Sequence, residues 1–161
     1  MPDGAAFENV ALTFPDAWDK KTRSINRKKL GNIVFYNDEE LKKLEKILHP
    51  IAKHSQMEFI KTMQRRGKKI IVLEIPLLFE TNAQERVDYV VCVSAPKAIQ
   101  RRRVLARKGM DEEKFNKVLL RQMPDEKKRA LSDFVINTGL GAAQTHKELS
   151  QMIKDIKGRR L

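Results

Sequence analysis

The sequence predicts an α/β protein built around a parallel sheet. Three short apolar runs, at residues 70–73, 89–93 and 134–136, have the composition of strands buried on both faces. Stretches with helical spacing separate these runs, and parallel strands are joined by such helical crossovers. The 161 residues are enough for one domain with a real core. Open α/β sheets bind ligands outside the carboxyl ends of their strands, so we expect chemistry where these runs end.

Four helices are predicted before the first strand, at residues 4–14, 25–35, 39–48 and 51–66. Pro15 ends the first helix, and residues 16–23 are polar and turn-like. Ser24 and Asp38 stand where side-chain oxygens would cap the second and third helices. Pro50 is tolerated at a first helical position, so the fourth helix is expected to begin there with a new axis.

Four further helices are predicted around the later strands, at residues 96–109, 112–122, 125–131 and 142–157. Pro96 and Pro124 suit the start of a helix, and Asp111 suits a helix N-cap. The last helix has an apolar face, which is typical of a helix that packs against other elements. These helices provide the crossovers that a parallel sheet requires.

The net charge of +12 is concentrated in one segment. Residues 97–129 hold 12 basic and 5 acidic side chains, whereas residues 1–96 hold 16 basic and 13 acidic ones. Such a cluster suits an anionic partner, either a nucleic acid or a small molecule with several phosphates. The alternative is a solvated helix face that only aids solubility. Phe115 is the only aromatic residue of the basic segment, which counts against stacking on single-stranded nucleic acid.

Several classes of protein are not favoured by the sequence. No apolar run approaches the roughly 20 residues that cross a bilayer, and the first residues do not resemble a signal peptide. Cys92 is the only cysteine, so an internal disulfide is excluded and a cytoplasmic location is expected. Because Cys92 lies in an apolar run, we expect a buried small hydrophobic residue and not a nucleophile. No set of His, Cys or carboxylate residues has metal-ligand spacing, so no metal site is predicted.

Two loop patterns are typical of chains that cradle phosphates. The pattern G-x-x-x-x-G-K-[ST], whose backbone N–H groups wrap a phosphate, does not occur in the 161 residues. Gly139 and Gly141 begin a dinucleotide-like pattern, but Gln144 stands in place of its third glycine. We therefore interpret this stretch as the turn that follows the third strand.

The basic segment contains three polar residues at helical spacing. Gln100, Arg103 and Arg107 follow the i, i+3, i+7 pattern and would share one helix face, whereas Arg101 and Arg102 would point elsewhere. Two guanidinium groups on one face can bind neighbouring phosphate oxygens and stabilise charge in phosphoryl transfer. The alternative is ordinary surface salt bridging, which contributes little to stability. His49, before Pro50, is interpreted first as a group that satisfies carbonyls at a helix C-terminus.

Six segments, in order along the chain, resemble dephospho-CoA kinases. They are SINRKKLGNIVF, LEKILHP, IPLLFE, the strand from Asp88 to Ser94, the spaced Gln100, Arg103 and Arg107, and RQMPDEKKRALSDFVINTG. No segment would suffice alone, and their common order makes the resemblance specific. It implies a P-loop kinase-like α/β core with a helical acceptor lobe and a lid. It also implies transfer of the γ-phosphoryl group of ATP, with Mg²⁺, to the ribose 3′-hydroxyl of dephospho-CoA, the last step of coenzyme A biosynthesis.

The resemblance assigns roles to parts of the chain. It implies a single domain over residues 1–161, with an acceptor lobe at 24–66, the core at 68–96 and 132–161, and a lid region at 97–131. Arg103 and Arg107 would contact the phosphates from the lid, and Asn137 and Gly139 would lie on the adenine side. The substrate-binding residues would be His49, Pro76, Leu77, Leu78, Phe79 and Glu80. Dephospho-CoA and ATP, and neither a nucleic acid nor a membrane, are then the expected partners.

The sequence departs from the family pattern at its start. The family begins with a strand, a glycine-rich phosphate loop, the helix after that loop and an aspartate motif, and residues 1–23 match none of these. The first strand and the P-loop helix are therefore expected to be absent, and the chain is expected to have little or no kinase activity. A non-catalytic module that binds dephospho-CoA is one alternative. A basic nucleic-acid-binding module is another.

Overall fold

The computed structural model describes residues 4–159, which form two compact units. One unit spans Met1–Leu73 and the other Glu74–Leu161. In the described residues, the first unit has a short antiparallel hairpin and three α-helices, and the second has a parallel strand pair and four α-helices. The predicted α/β class with parallel pairing is confirmed.

The first unit combines helices with a short hairpin. Its elements are α1 (Phe7–Thr13), a 3₁₀ turn (Pro15–Ala17), β1 (Trp18–Asp19), β2 (Ser24–Ile25), α2 (Arg27–Phe35) and α3 (Asp38–Arg65). The hairpin occupies the segment for which the sequence predicted only a turn, because Trp18 pairs with Ile25 and Asp19 with Ser24. The Asp19 carboxylate accepts hydrogen bonds from the N–H groups of Lys21 (2.9 Å) and Thr22 (3.3 Å), which closes the hairpin.

Apolar side chains from α1, α2, α3 and the 3₁₀ turn form the core of the first unit. Its buried members are Val10, Phe14, Ala17, Val34 and Leu44. Helices α1, α2 and α3 thus turn apolar side chains inward, as amphipathic helices do. Burial of each larger member contributes about 1.5–3 kcal/mol before entropy is counted.

The caps of α2 and α3 differ from those predicted. Asn26, not Ser24, caps α2, and its side-chain oxygen accepts from two backbone N–H groups of the first turn, each at 3.1 Å. Ser24 is unavailable as a cap because it lies in β2. Asn37, not Asp38, caps α3 in the same way, and Asp38 becomes the first helical residue. Either position suits a polar cap chemically, and the path of the chain decides between them.

The predicted break at Pro50 is wrong, because α3 runs through it as one helix of 28 residues. Pro50 has no N–H group to donate to the carbonyl of Lys46, and an interior proline costs about 3 kcal/mol. Strong helix formers on both sides, among them Leu48 and Ala52, offset this cost. His49 therefore lies in the middle of a helix and not near its C-terminus.

The second unit contains two parallel strands. Its elements are a 3₁₀ turn (Ala83–Arg86), β3 (Val91–Ser94), α4 (Lys97–Leu105), α5 (Glu112–Arg121), α6 (Asp125–Ala130), β4 (Phe134–Asn137), a 3₁₀ turn (Thr138–Leu140) and α7 (Ala142–Gly158). Val91 pairs with Phe134, and the register continues to Ser94 opposite Asn137. As predicted, Asp111 caps α5.

The first predicted strand, at residues 70–73, is wrong for the described part of the chain. No residue between 4 and 159 pairs with it, and it lies outside any helix or strand. Val72 is 80% exposed and Ile70 is 43% exposed, so the run is not buried on both faces. An apolar run of this kind is typical of a strand. A strand also needs a neighbouring strand to which it is hydrogen-bonded, and composition does not show whether one is present.

Two smaller expectations about the second unit also need correction. Helix α4 ends at Leu105, so Arg107 lies beyond the helix that was predicted to carry it. Cys92 is only half-buried, and within residues 4–159 its strand has a neighbour on one side only. Burial, followed by the negative charge of Asp125, raises the pKa of its thiol, which agrees with an unreactive cysteine.

Candidate functional site

The carboxyl ends of β3 and β4 lie side by side and end in polar residues. Ser94 ends β3 and is paired in register with Asn137, which ends β4. Ser94 is only 8% exposed, which is unusual for a polar residue and requires that its hydroxyl be hydrogen-bonded. This is the sheet edge where α/β proteins place their ligands.

A chain of hydrogen bonds links this edge to α4 and α6. The Ser94 hydroxyl contacts both carboxylate oxygens of Asp125, at 2.8 and 2.9 Å. The Ser94 carbonyl accepts a hydrogen bond from the Thr138 hydroxyl at 3.0 Å. Arg103 donates from Nη1 to the same hydroxyl at 2.9 Å and from Nη2 to the Thr138 carbonyl at 2.8 Å. Four residues that are distant in sequence thus form one polar cluster.

Gln100 joins the same cluster from the preceding turn of α4. Its Nε2 donates to the Ala95 carbonyl at 2.7 Å and lies 3.5 Å from Asp125 Oδ1. Gln100 and Arg103 therefore both face the strand ends, as their spacing suggests. Arg107 lies past the end of α4, where its backbone N–H donates to the Val104 carbonyl at 3.0 Å.

The turn after β4, which we call the β4 turn (Thr138–Leu140), is closely packed. The Gly139 N–H donates to Asn137 Oδ1 at 2.8 Å. A Cβ atom on Gly139 would lie 2.5 Å from Pro96 Cδ and 3.3 Å from Ile99 Cδ1, so only glycine fits without movement. The backbone N–H of Asn137 donates to Glu148 at 2.8 Å, and this bond, followed by that from Gln144, lowers the pKa of Glu148.

A groove of about 230 Å³ lies beside the polar cluster. Its lining residues are Ser94, Ala95, Pro96, Lys97, Asp125, Glu126, Arg129, Val135 and Asn137. Pockets that enclose whole drug-sized ligands measure about 300–1,000 Å³, so this groove is suited to part of such a molecule.

Residues 76–80, which we call the elbow, are the second group of predicted site residues and were assigned to substrate binding. Pro76 is exposed, and the four residues that follow are half-buried. The chain turns here, because the Leu77 carbonyl accepts from the Thr81 hydroxyl at 2.7 Å and the Leu78 carbonyl from the Ala83 N–H at 2.8 Å. The elbow thus has a defined conformation that its proline and apolar residues alone did not predict.

Glu80 ties the elbow to the start of α6. Its Oε1 accepts from the Met123 N–H at 2.7 Å and lies 3.0 Å from Lys128 Nζ. The side chains of Glu80 and Lys128 are each 18% exposed, so this ion pair is largely withdrawn from water. Glu80 Oε2 is buried and has no hydrogen-bond partner among the described residues.

Burial and hydrogen bonding oppose each other in setting the pKa of Glu80. Burial alone would raise this pKa, and it is the largest single influence. The backbone N–H groups, that of Met123 foremost, and the Lys128 ammonium together outweigh it and lower the pKa. Glu80 is therefore ionised at neutral pH.

The structure places the predicted residues in two groups. Arg103, Asn137 and Gly139 lie at the ends of β3 and β4, and the elbow lies within the same unit. His49 belongs to the other unit, where it is exposed on α3.

Sequence reasoning missed three members of the polar cluster as site residues. Ser94 and Asp125 were seen only as a strand residue and a helix start, and Thr138 only as the residue between Asn137 and Gly139 on the adenine side, with no contact of its own. A polar residue directly after a buried strand was the one available signal for Ser94. No local pattern could join Ser94 to Asp125, since 31 residues separate them.

Residues 4–159 contain neither a metal-ligand cluster nor a membrane-spanning helix. No group of three or more His, Cys, Asp or Glu side chains there is arranged to hold a metal ion. Within the same residues, no helix combines the length and the apolar character needed to cross a membrane.

Parallel pairing and the polar cluster define the class as an α/β protein with its candidate site at the carboxyl edge of the strands. A family model described as dephospho-CoA kinase matches residues 1–144. The chain belongs to the dephospho-CoA kinase family.

Individual relatives support this assignment. The chain is 44% identical over 147 residues to a dephospho-CoA kinase of Bartonella quintana, a match that covers 91% of this chain and 74% of that protein. It is 41% identical over 156 residues to one of Rhizobium etli, covering 97% and 76%. The solved dephospho-CoA kinase of Campylobacter jejuni superposes with a TM-score of 0.63 at 28% identity, covering 99% of this chain and 85% of that one. A crystal structure from Thermus thermophilus gives a TM-score of 0.72 at 29% identity, covering 92% and 74%.

Proposed function

We propose that this chain carries the acceptor and lid residues of an enzyme that transfers the γ-phosphoryl group of ATP to the ribose 3′-hydroxyl of dephospho-CoA. Membership of the family over residues 1–144 is the observation that carries this proposal. The polar cluster supports it, because a basic helix beside the carboxyl ends of parallel strands suits a phosphorylated ligand. A cytoplasmic location belongs to the same proposal.

The acceptor side of the proposal uses residues 24–66 and the elbow. The exposed imidazole of His49 is accessible to a ligand from the middle of α3. The half-buried apolar residues of the elbow, Leu77, Leu78 and Phe79, could contact the acceptor, with Pro76 turning the chain. Glu80 would act beside them as an ionised group held by Lys128.

The donor side uses α4, the segment after it and the β4 turn. Arg103 and Arg107 would contact phosphate oxygens, since guanidinium groups stabilise the charge that builds up during phosphoryl transfer. Asn137 and Gly139 would lie on the adenine side, beside a groove that is large enough for part of a nucleotide. Residues 97–131 remain the proposed lid, and residues 68–96 and 132–161 the proposed core.

The described residues include groups that suit ATP but no cluster that suits Mg²⁺. Arg103, Asn137 and the groove suit the base and phosphates of a nucleotide. The described residues contain no cluster that could hold a metal ion, so we assign no step to Mg²⁺ here. In addition, the pattern G-x-x-x-x-G-K-[ST] does not occur in residues 1–161. We therefore expect the polypeptide of these residues alone to have little or no kinase activity.

The first experiment measures phosphoryl transfer by the 161-residue polypeptide with MgATP and dephospho-CoA. We expect a rate far below the about 1–100 s⁻¹ that is typical of kinases. A fusion that places a relative's strand, phosphate loop and helix before residue 1 should raise the rate. The matched control is the same fusion with the loop lysine changed to methionine. Ordinary kinase rates without the fusion would refute the expected impairment.

The second experiment uses calorimetry to separate the enzyme hypothesis from a non-catalytic binding module. The absence of the phosphate-loop pattern in residues 1–161 is what favours the second hypothesis. A module of that kind binds dephospho-CoA without binding ATP, and its fusion stays inactive. If neither ligand binds the polypeptide or the fusion, both hypotheses fail.

A further inference from the structure

Arg103 makes a two-point contact with the β4 turn, across 35 residues of sequence. Nη1 donates to the Thr138 hydroxyl at 2.9 Å and Nη2 donates to the Thr138 carbonyl at 2.8 Å. A guanidinium presents its N–H groups in a rigid planar fork, so two simultaneous bonds fix the orientation of both partners. A lysine at this position could not reproduce that geometry.

The Thr138 hydroxyl bonds to two neighbours, Arg103 and Ser94. A guanidinium can only donate, so the hydroxyl accepts from Arg103 and gives its own proton to the Ser94 carbonyl at 3.0 Å. The direction of every bond from Arg103 to β3 is therefore determined. Loss of the hydroxyl would break this path to β3, whereas the Nη2 bond to the Thr138 carbonyl would remain.

The residue after Thr138 depends on the same placement. Gly139 donates to Asn137 Oδ1 at 2.8 Å and packs so closely on Pro96 that a Cβ atom would lie 2.5 Å from Pro96 Cδ. Pro96 and Asn137 both line the groove. A shift of the β4 turn would therefore change the shape of the groove wall.

We propose that Arg103 is a positioning residue that sets the groove beside Asn137 by holding the β4 turn through Thr138. This inference rests on the proposed function, in which the groove receives the adenine of the nucleotide. A guanidinium has five N–H groups, and two of those of Arg103 are used here. No bond of the remaining three to another described residue is seen, so one side chain would couple the base side to the phosphate side.

The coupling predicts that Arg103 also affects the binding of a ligand that has no phosphate. Adenosine has no phosphate for a guanidinium to bind, yet its affinity should depend on Arg103. Arg103→Met should weaken adenosine binding about tenfold, as expected for loss of hydrogen bonds from a charged donor. Thr138→Val should weaken it less, because the Nη2 bond to the Thr138 carbonyl survives in that variant, and the double variant should lose less than the sum of the two single changes.

Two further variants separate positioning from general damage. Thr138→Ser keeps the hydroxyl and should bind adenosine about as the natural chain does. Arg102→Met removes a neighbouring exposed arginine of α4 and should change nothing. Each variant of the 161-residue chain is titrated with adenosine and with ADP by calorimetry. Hydrogen exchange of the Gly139 N–H is measured in parallel by NMR, and it should be faster in Arg103→Met than in Arg102→Met.

The outcomes distinguish this inference from the proposed function. If Arg103→Met weakens ADP binding but leaves adenosine binding and Gly139 exchange unchanged, Arg103 contacts phosphate only and the inference is overturned. If the natural chain does not bind adenosine, the proposed adenine role of the groove fails. The exchange rates then decide alone whether Arg103 holds the turn, and equal rates in the two arginine variants overturn that conclusion too.

Discussion

Replacing Glu80 with glutamine tests whether the negative charge of Glu80 holds the elbow in place. The substitution keeps the shape and the Oε1 acceptor but removes the charge that Met123 and Lys128 share at 2.7 and 3.0 Å. A hydrogen bond to a charged group contributes about 1.5–3 kcal/mol and a neutral one about 0.5–1.5, so the Met123 bond loses about 1 kcal/mol. The Lys128 bond keeps its charged donor and loses the ion-pair attraction, about 1 kcal/mol more. The new amide also brings N–H donors to the buried Oε2 position, which has no partner among the described residues. We therefore expect a loss of about 2–4 kcal/mol in the free energy of unfolding.

The stability lost in Glu80→Gln should depend on pH in a defined direction. The pKa of Glu80 is lower in the folded protein than its ordinary value, so its contribution to stability is fully present above about pH 4.3 and is lost as pH falls through the folded pKa. The stability difference between the natural chain and Glu80→Gln should be constant near neutral pH. It should shrink as the pH is lowered below about 4.

The assay is urea unfolding followed by circular dichroism, repeated from neutral pH downward. The matched control is Glu85→Gln, an exposed glutamate in the same unit, which should change stability by less than about 0.5 kcal/mol. Adding Lys128→Met to Glu80→Gln should cost less than the sum of the single changes, because both remove one interaction. A Glu80→Gln variant as stable as the control, or a difference that persists at low pH, would refute the reasoning.

Three further substitutions test the caps and glycines. Asn37→Ala removes the cap of α3 and should lower the free energy of unfolding by about 1 kcal/mol, whereas Asn32→Ala, at an exposed position inside α2, should not. Gly139→Ala places a Cβ against Pro96 and should cost about 1–3 kcal/mol, measured by thermal unfolding. Gly31→Ala meets nothing within 4 Å inside α2 and should add about 0.5–1 kcal/mol. Equal effects of the two glycine changes would contradict the packing argument.

Much of the secondary structure could be predicted, because it depends on neighbouring residues. Helix α5 begins after Asp111 and α6 after Pro124, and β3 and β4 overlap the apolar runs predicted for them. Where the predictions failed, a contact from outside the local window decided the result. Pairing of Ser24 in a hairpin moved the cap of α2 two positions on, to Asn26, the next polar residue.

The candidate site shows the same limit more clearly. The spacing of Gln100 and Arg103 predicted a shared helix face, but not that Arg103 would reach Thr138. Likewise, nothing near Ser94 indicates that a carboxylate 31 residues away binds its hydroxyl. Such contacts depend on how the chain returns to the sheet, which one sequence determines only through its whole fold.

The two parallel strands have a consequence for handling the protein. In residues 4–159, β3 and β4 pair only with each other, and Val93 is 67% exposed. Unpaired backbone beside apolar side chains is a template on which another copy can add a strand. The net charge of +12 keeps copies apart, but salt screens such repulsion beyond about 8 Å at physiological ionic strength. We therefore expect concentrated solutions to stay clear in dilute buffer and to become turbid as salt is added.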